Sequence, residues 1–250
     1  MRAVLDSGDL ELAGAFERPD HPDLGRDPGL ATGLGEVGID LAGSLGDVLE
    51  AGEVIIDFTQ PEATLSNLEQ AVARGKAMVV GTTGFSAKEM ARIHDLAGNM
   101  RLVLAPNMSA GVNLLFKIVG DVAQVLKKGY DLEIVEAHHR LKKDAPSGTA
   151  MRLAEILAET TGRSLNECAV YGRQGLIGER PDDEIGVLSV RAGDIVGEHT
   201  VTFGGIGERL EITHRAQSRD TFARGAVRAA SWIVNQSPGL YDMQDVLGLR

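Results

Sequence analysis

Cysteine is nearly missing from this 250-residue sequence: Cys168 is the only one. A single thiol excludes an internal disulfide and a thiolate metal cage, and it suits a reducing compartment. Positive charge is also in deficit, with 25 Lys and Arg against 36 Asp and Glu and a formal net charge of -11. Binding to nucleic acid or to an anionic membrane draws on basic patches, so neither partner is expected. A small anionic ligand is not excluded, because it needs only a local cationic pocket. Long apolar runs are lacking too. None approaches the roughly 18 residues of a transmembrane helix, and the opening MRAVLDSGDLELAGAF holds no uninterrupted apolar stretch of signal-peptide length. A cytoplasmic location is the expectation.

What is present is a chain with 43% hydrophobic residues, enough for a real core. The first hundred residues alternate short apolar runs with helical patterns. LELAGAF (10–16), GEVIIDF (52–58), KAMVVGTTGF (76–85) and MRLVLAPN (100–107) read as strands. Nearly continuous apolar strands point to a sheet covered on both faces, hence parallel. Between them, QPEATLSNLEQAVARG has Pro61 at its start and Gly75 at its end, as helix ends prefer. SAKEMARIHDLAG follows, with Ser86 as N-cap. This βαβαβ order predicts a doubly wound sheet.

The pattern changes after about Asn107. AGVNLLFKIVGDVAQVLKKG reads as one amphipathic helix and YDLEIVEAHHR as an alternating strand. Ala150, Leu153, Ala154, Leu157 and Ala158 then recur at helical spacing. IGVLSVRAG, GEHTVTFGG and GERLEITHRA look like a three-stranded meander. This second region reads as α+β. A last helical segment, TFARGAVRAASWIVNQ, is expected to return to the first domain.

Ligands of open α/β sheets bind beyond the carboxyl ends of the strands. Three strand exits are equipped for that. Glu17 and Arg18 follow the first strand; an acid there suits an adenosine ribose and the arginine a 2′-phosphate. An exposed ion pair is the plain alternative. Gly81–Phe85 (GTTGF) offers close backbone approach and threonine donors, and alone it is also an ordinary tight turn. Ala105–Met108 (APNM) lies where the two patterns meet, and a structural turn explains it equally well locally.

The stretch EAHHRLKKDAPSGTA (136–150) is less ordinary. If Leu132, Ile134, Glu136 and His138 share one strand face, His139 points the other way, so the two imidazoles cannot chelate together. The i, i+4 spacing of a zinc helix is absent as well, and no metal site is expected. Lys142 sits four residues beyond His138. Ser147 can cap the next helix, leaving the N–H groups of Gly148 and Thr149 at its first turn as a carboxylate site. A helix cap beside solvated cations is the bland reading; the whole combination favours an anion that is held and protonated.

These residues resemble the signature of the 4-hydroxy-tetrahydrodipicolinate reductase (dihydrodipicolinate reductase) family. The likeness extends through DFTQPEAT, VVGTTGF, APNMSAGVN, AVYGRQGLIGER, VRAGDIVGEHTVTF, ERLEITHRAQSRDTFARGA and GLYDMQDVL, from about Leu10 onward. The resemblance implies a Rossmann-like dinucleotide domain (1–108 and 216–250) and an α+β substrate and tetramerisation domain with a mixed sheet (109–215). It implies reduction of 4-hydroxy-tetrahydrodipicolinate to tetrahydrodipicolinate in lysine biosynthesis, with NADH or NADPH, by a homotetramer. By similarity His138 and Lys142 are catalytic, and His139, Gly148 and Thr149 bind substrate. The cofactor contacts are Glu17, Arg18, Gly81, Thr82, Thr83, Ala105, Pro106, Asn107 and Met108. Arg219 falls where the family carries a cationic hinge residue.

The family begins with a strand and a glycine-rich phosphate loop. MRAVLDSG resembles the end of the helix after that loop, so both are expected to be missing from this sequence. Two other readings remain at this point: a cofactor-impaired or noncatalytic dicarboxylate-binding relative, and an aspartate dehydrogenase-like enzyme, which the His-His/Lys/Ser-Gly-Thr combination disfavours.

Overall fold

A computed structural model describes residues 1–250. In chain order the elements are α1 (Arg2–Leu5), β1 (Ala15–Phe16), α2 (Pro28–Ala31), β2 (Leu41–Ala42), β3 (Val54–Asp57), α3 (Pro61–Ala73), β4 (Ala77–Val80), α4 (Ala87–Ala97), β5 (Arg101–Leu104) and α5 (Ala110–Val125). There follow β6 (Asp131–His138), α6 (Gly148–Thr161), α7 (Leu165–Cys168), β7 (Ala169–Val170), β8 (Ile185–Arg191), β9 (Gly197–Gly205), β10 (Glu208–Ala216), α8 (Asp220–Ile233), β11 (Gly239–Tyr241) and α9 (Met243–Leu247). The chain divides into two compact units. One holds Met1–Met108, Phe222–Gly248 and Arg250; the other holds Ser109–Thr221 and Leu249.

The first unit contains a parallel four-stranded sheet in the order β11-β5-β4-β3. Every residue of β4 is buried, which requires cover on both faces. The side-chain period of two divides the labour. Met78 and Val80 face a core with Leu68 and Ala71 of α3 and Ile93 and Leu96 of α4. Ala77 and Val79 face the other way, toward Ala226, Ala229, Ala230 and Ile233 of the returning α8. The caps act as the sequence suggests. Pro61 occupies the first turn of α3, and Ser86 and Glu89 form a reciprocal capping box at α4.

The strand expected over 10–16 is reduced to Ala15–Phe16, paired in parallel with Leu41–Ala42 as a separate two-stranded sheet. A strand exists only where a neighbour supplies hydrogen bonds, and β2 offers two residues. Leu10 instead packs against the α8-side core.

In the second unit the order is β10-β9-β6-β8-β7. The meander expected for 185–216 is therefore wrong: β9 and β10 form a hairpin, but β6 lies between β8 and β9. β6 runs parallel to β8 and antiparallel to β9. The cause is the loop after β8. It is pinned across the end of β6 by Ala192 N–H donating to His138 O (2.9 Å) and Arg140 N–H donating to Gly193 O (3.1 Å). The chain thus crosses β6 before β9 begins. One sheet face is covered by α5 and α6. The buried residues of α6 are Ala150, Leu153, Ala154, Leu157 and Ala158, and each leucine stabilises the fold by about 1.5–3 kcal/mol through burial. Gly162, at φ 73°, ends α6 in the left-handed conformation that glycine tolerates best.

Candidate active site

β6 carries the first part of the site. Leu132, Ile134 and Glu136 are buried on its inward parity, and His138 ends the strand. A buried carboxylate needs partners, and Glu136 has four contacts from three residues. Its Oε1 accepts from the Ser147 backbone N–H (3.1 Å) and from Arg191 Nη2 (2.8 Å). Its Oε2 accepts from Arg191 Nη1 (2.8 Å) and lies 2.6 Å from His138 Nδ1. Burial pushes the Glu136 carboxyl up, but the bonds from Arg191, His138 and Ser189 outweigh it and hold the pKa at about 2.

α6 supplies the second part. Ser147 is its N-cap, with Oγ accepting from Ala150 N–H at 3.2 Å. Gly148 and Thr149 follow in the first turn, where N–H groups point outward along the helix axis. A Cβ built on Gly148 would meet no atom within 4 Å, and its φ is not in the positive range. Neither packing nor backbone conformation requires glycine there, which leaves room for a ligand to approach.

The loop between them supplies the cations. Lys142 Nζ donates to Asp144 Oδ1 at 2.8 Å, and Arg191 Nη2 donates to the Asp144 carbonyl at 2.7 Å. His139, on the opposite parity to His138, has Nε2 3.5 Å from Arg219 Nη2. Burial lowers the pKa of His138; Glu136 opposes this, while the charges of Lys142 and Arg191 add to it, and the net shift is downward. His199 of β9 lies directly across from Glu136. Its ring stands edge-on to that of His138, with centroids 5.2 Å apart, and its Nε2 is 3.0 Å from Ser147 Oγ. Burial above all, then the neighbouring His138, pushes His199 down to about 3.

The structure thus brings His138, Lys142, Gly148 and Thr149 together in the second unit, with His139 on the adjoining side of the β6 end. Two imidazoles that favour neutrality, an ammonium and a helix N-terminus suit a bound carboxylate and proton exchange. No cluster of three or more His, Cys, Asp or Glu side chains is placed to hold a metal ion. Sequence reasoning gave no role to Arg191, His199 or Glu136. The signal for Glu136 was its place on the inward parity of an apolar strand.

In the first unit, the exits of β3, β4 and β5 lie along one sheet edge because these strands are parallel and adjacent. Thr83 and Pro106 are exposed, and Gly81 and Asn107 are half-buried. Thr82 differs from the expectation of a threonine donor to a ligand. Its hydroxyl accepts from Thr64 Oγ1 (2.9 Å) and donates toward Asp57 Oδ1 (3.4 Å). These belong to a buried network in which Asp57 also accepts from Thr59 and Asn67, so what Thr82 can offer a ligand is its backbone. The side chains of Ala105 and Met108 are core residues. The Met108 carbonyl is packed so closely on α8 that a Cβ on Gly225 would sit 1.8 Å from it. Glu17 and Arg18 are exposed after β1. Glu17 accepts the Arg18 backbone N–H (2.9 Å), and Arg18 Nε pairs with Asp20 (3.2 Å) at the surface. At the exits of β4 and β5 the Gly81 N–H donates to the Asp57 carbonyl (2.9 Å) and the Ala105 N–H to the Val80 carbonyl (3.2 Å), so both amides belong to the sheet.

The chain matches two family models: dihydrodipicolinate reductase, N-terminus, over residues 1–108, and dihydrodipicolinate reductase, C-terminus, over residues 111–247. The 4-hydroxy-tetrahydrodipicolinate reductase of Syntrophus aciditrophicus is 56% identical over 245 residues, covering 98% of this chain and 91% of the relative. That of Citrifermentans bemidjiense is 54% identical over 248 residues, covering 99% and 93%. Among solved structures, a dipicolinate-bound dihydrodipicolinate reductase from Paenisporosarcina sp. TG-14 superposes with a TM-score of 0.74 at 24% identity, covering 98% of this chain and 92% of that one. An amine dehydrogenase from Mycobacterium smegmatis shares the fold at a TM-score of 0.59 and 12% identity, covering 96% and 91%. Matched along nearly its whole length, with the quoted motifs in place, this chain belongs to the dihydrodipicolinate reductase family.

Proposed function

We propose that the chain reduces 4-hydroxy-tetrahydrodipicolinate to tetrahydrodipicolinate in the diaminopimelate route to lysine, as a cytoplasmic homotetramer. The observation that carries this reading is the meeting of His138 and the capped first turn of α6 around the buried Glu136 carboxylate, with the Lys142 charge near enough to act on His138. In the net reaction the ring takes up a hydride and a proton and gives up its hydroxyl as water. NADH or NADPH supplies the hydride.

The second unit binds and protonates. Gly148 and Thr149 present backbone N–H groups to one substrate carboxylate, reinforced by the positive end of the α6 dipole. His139, beside Arg219, contributes a second polar contact. Lys142 stabilises the negative charge that the ring acquires and delivers a proton to it. His138 exchanges a proton through Nε2, because its Nδ1 is occupied by Glu136. In the first unit, Glu17 accepts from the adenosine ribose and Arg18 pairs with a 2′-phosphate when one is present. Gly81–Thr83 and Ala105–Met108 contribute backbone contacts. An acid suited to the bare ribose beside a cation suited to the phosphate favours use of both dinucleotides.

The test follows nicotinamide oxidation with the dicarboxylate substrate, for the chain and for Lys142→Ala. Substrate-dependent oxidation is expected, and Lys142→Ala should lower kcat by about a hundredfold or more while the protein stays folded. Unchanged turnover in the variant removes Lys142 from the proton step. Dicarboxylate binding without any nicotinamide oxidation replaces the reductase with a binding protein.

A further inference from the structure

Glu136 and Arg191 tie together the strand, the helix cap and the Lys142 loop of the site in the second unit. Glu136 contacts the His138 ring on its own strand and the first N–H of the α6 cap. Arg191 grips both Glu136 oxygens and reaches the Asp144 carbonyl in the Lys142 loop. Buried ion pairs are a poor source of stability, since apolar replacements often do as well. The placement of this pair therefore asks for another reason.

We propose that Glu136, charge-balanced by Arg191, is a positioning residue that fixes the tautomer and the proton affinity of His138. The inference rests on the reading of His138 as a proton-exchanging group. An ionised carboxylate only accepts hydrogen bonds, so His138 Nδ1 must carry hydrogen. The neutral ring then leaves Nε2 as its one acceptor. That nitrogen faces Gly197, where a Cβ would come within 3.1 Å of it, so the missing side chain keeps it uncovered. The groups facing the ring are Glu136 from β6, Arg191 from β8, His199 from β9 and Lys142 from the loop; Asp144 is held by Lys142. Glu136 alone favours the imidazolium. Arg191 draws on the same carboxylate through two hydrogen bonds and so limits that effect. The pair acts as an adjustable counter-charge.

Removing the two partners should move His138 in opposite directions, which a general loosening of the fold would not do. Histidines labelled at Cε1 and in the ring nitrogens are followed by NMR against pH in the wild type, Glu136→Gln and Arg191→Gln. His138→Gln identifies the resonance, and kcat and kcat/KM are measured over the same range. Glu136→Gln should lower the His138 pKa by about one unit or more and admit the Nε2–H tautomer, because a glutamine amide can donate to Nδ1. Arg191→Gln should raise the pKa; if that variant does not fold, Arg191→Lys should give a smaller rise. The corresponding limb of kcat/KM should follow each shift. A His138 tautomer and titration unchanged in Glu136→Gln, or displacement in one direction by both variants, overturns the proposal. If the ring titration moves and the rate profile does not, the positioning role holds and the proton role of His138 falls.

Discussion

His199 of β9 and Ser147 at the head of α6 stand 52 residues apart in the chain and 3.0 Å apart between Nε2 and Oγ. The contact joins the sheet to the N-terminus of α6. It also buries an imidazole that favours the neutral state, with a pKa near 3.

That burial has a consequence for stability. A histidine with a folded-state pKa of about 3 and an ordinary value of 6.5 takes up a proton more readily when the chain unfolds. Above pH 6.5 it imposes no penalty; as pH falls from 6.5 toward 3, stability is lost. Glu136, held at about 2 against 4.5, contributes stability above 4.5 and loses it only below that. The interval from pH 6.5 to 5 therefore isolates the histidines, among which His138 and His214 also shift downward. Chemical denaturation of His199→Gln and wild type should show the variant losing less stability across that interval, by roughly 1.5 kcal/mol. Parallel pH profiles for the two proteins would refute a buried neutral His199.

Gly148 supports a prediction in which stability and binding move in opposite directions. A Cβ there touches nothing in the protein, and alanine is the better helix former. Gly148→Ala should hold or raise stability, by up to about 0.5–1 kcal/mol. The same methyl group obstructs the approach of a carboxylate to the first turn, so KM for the dicarboxylate should rise about tenfold, the worth of one charge-assisted hydrogen bond. Thermal denaturation and steady-state kinetics on one preparation decide the matter. A loss of stability with KM unchanged would make Gly148 a packing residue.

Local features were legible in the sequence because they are written within a turn or two of the chain. The five apolar positions of α6 are the five that the helix buries, and Ser147, Ser86 and Pro61 mark helix starts. The alternation of β6 placed Glu136 inward with Leu132 and Ile134. What it could not give was the partner, since Arg191 is 55 residues away and becomes a neighbour only when β8 pairs with β6. The same limit explains the misplaced meander. Proximity in sequence favours hairpins, but the order β9-β6-β8 is decided by a loop that crosses the end of β6. In α3 the buried face includes Thr64 and Asn67, polar residues that an apolar-spacing argument passes over and that are inside because Asp57 accepts from them.

That network separates a structural threonine from a ligand-binding one. The Thr82 hydroxyl serves Thr64 and Asp57. Thr82→Val keeps the shape, leaves Thr64 with Asp57 as its acceptor and removes one donor from the buried Asp57 carboxylate, at a cost of about 1–2 kcal/mol, or a fall in Tm of roughly 2–6 °C. Dinucleotide affinity, measured by calorimetry, should remain as in the wild type, because the contact proposed for Thr82 is through its backbone. A weakened affinity with an unaltered Tm would assign the hydroxyl to the ligand.

The roles proposed for Arg18 and Glu17 make opposite predictions about cofactor preference. Both Arg18 and its partner Asp20 are largely exposed, at 67% and 78%, and such a pair holds a guanidinium only weakly. A phosphate offers stronger, forked hydrogen bonding and should displace Asp20. Glu17, anchored by the Arg18 backbone N–H, accepts from ribose hydroxyls but repels a 2′-phosphate. Arg18→Ala should therefore weaken NADPH about tenfold and leave NADH nearly unchanged, whereas Glu17→Ala should weaken NADH and strengthen NADPH. Titrations of each variant with both dinucleotides give a ratio that moves one way for Arg18 and the other way for Glu17. If the ratio stays fixed in both variants, these residues form a surface ion-pair cluster, and the adenosine end of the cofactor is held elsewhere.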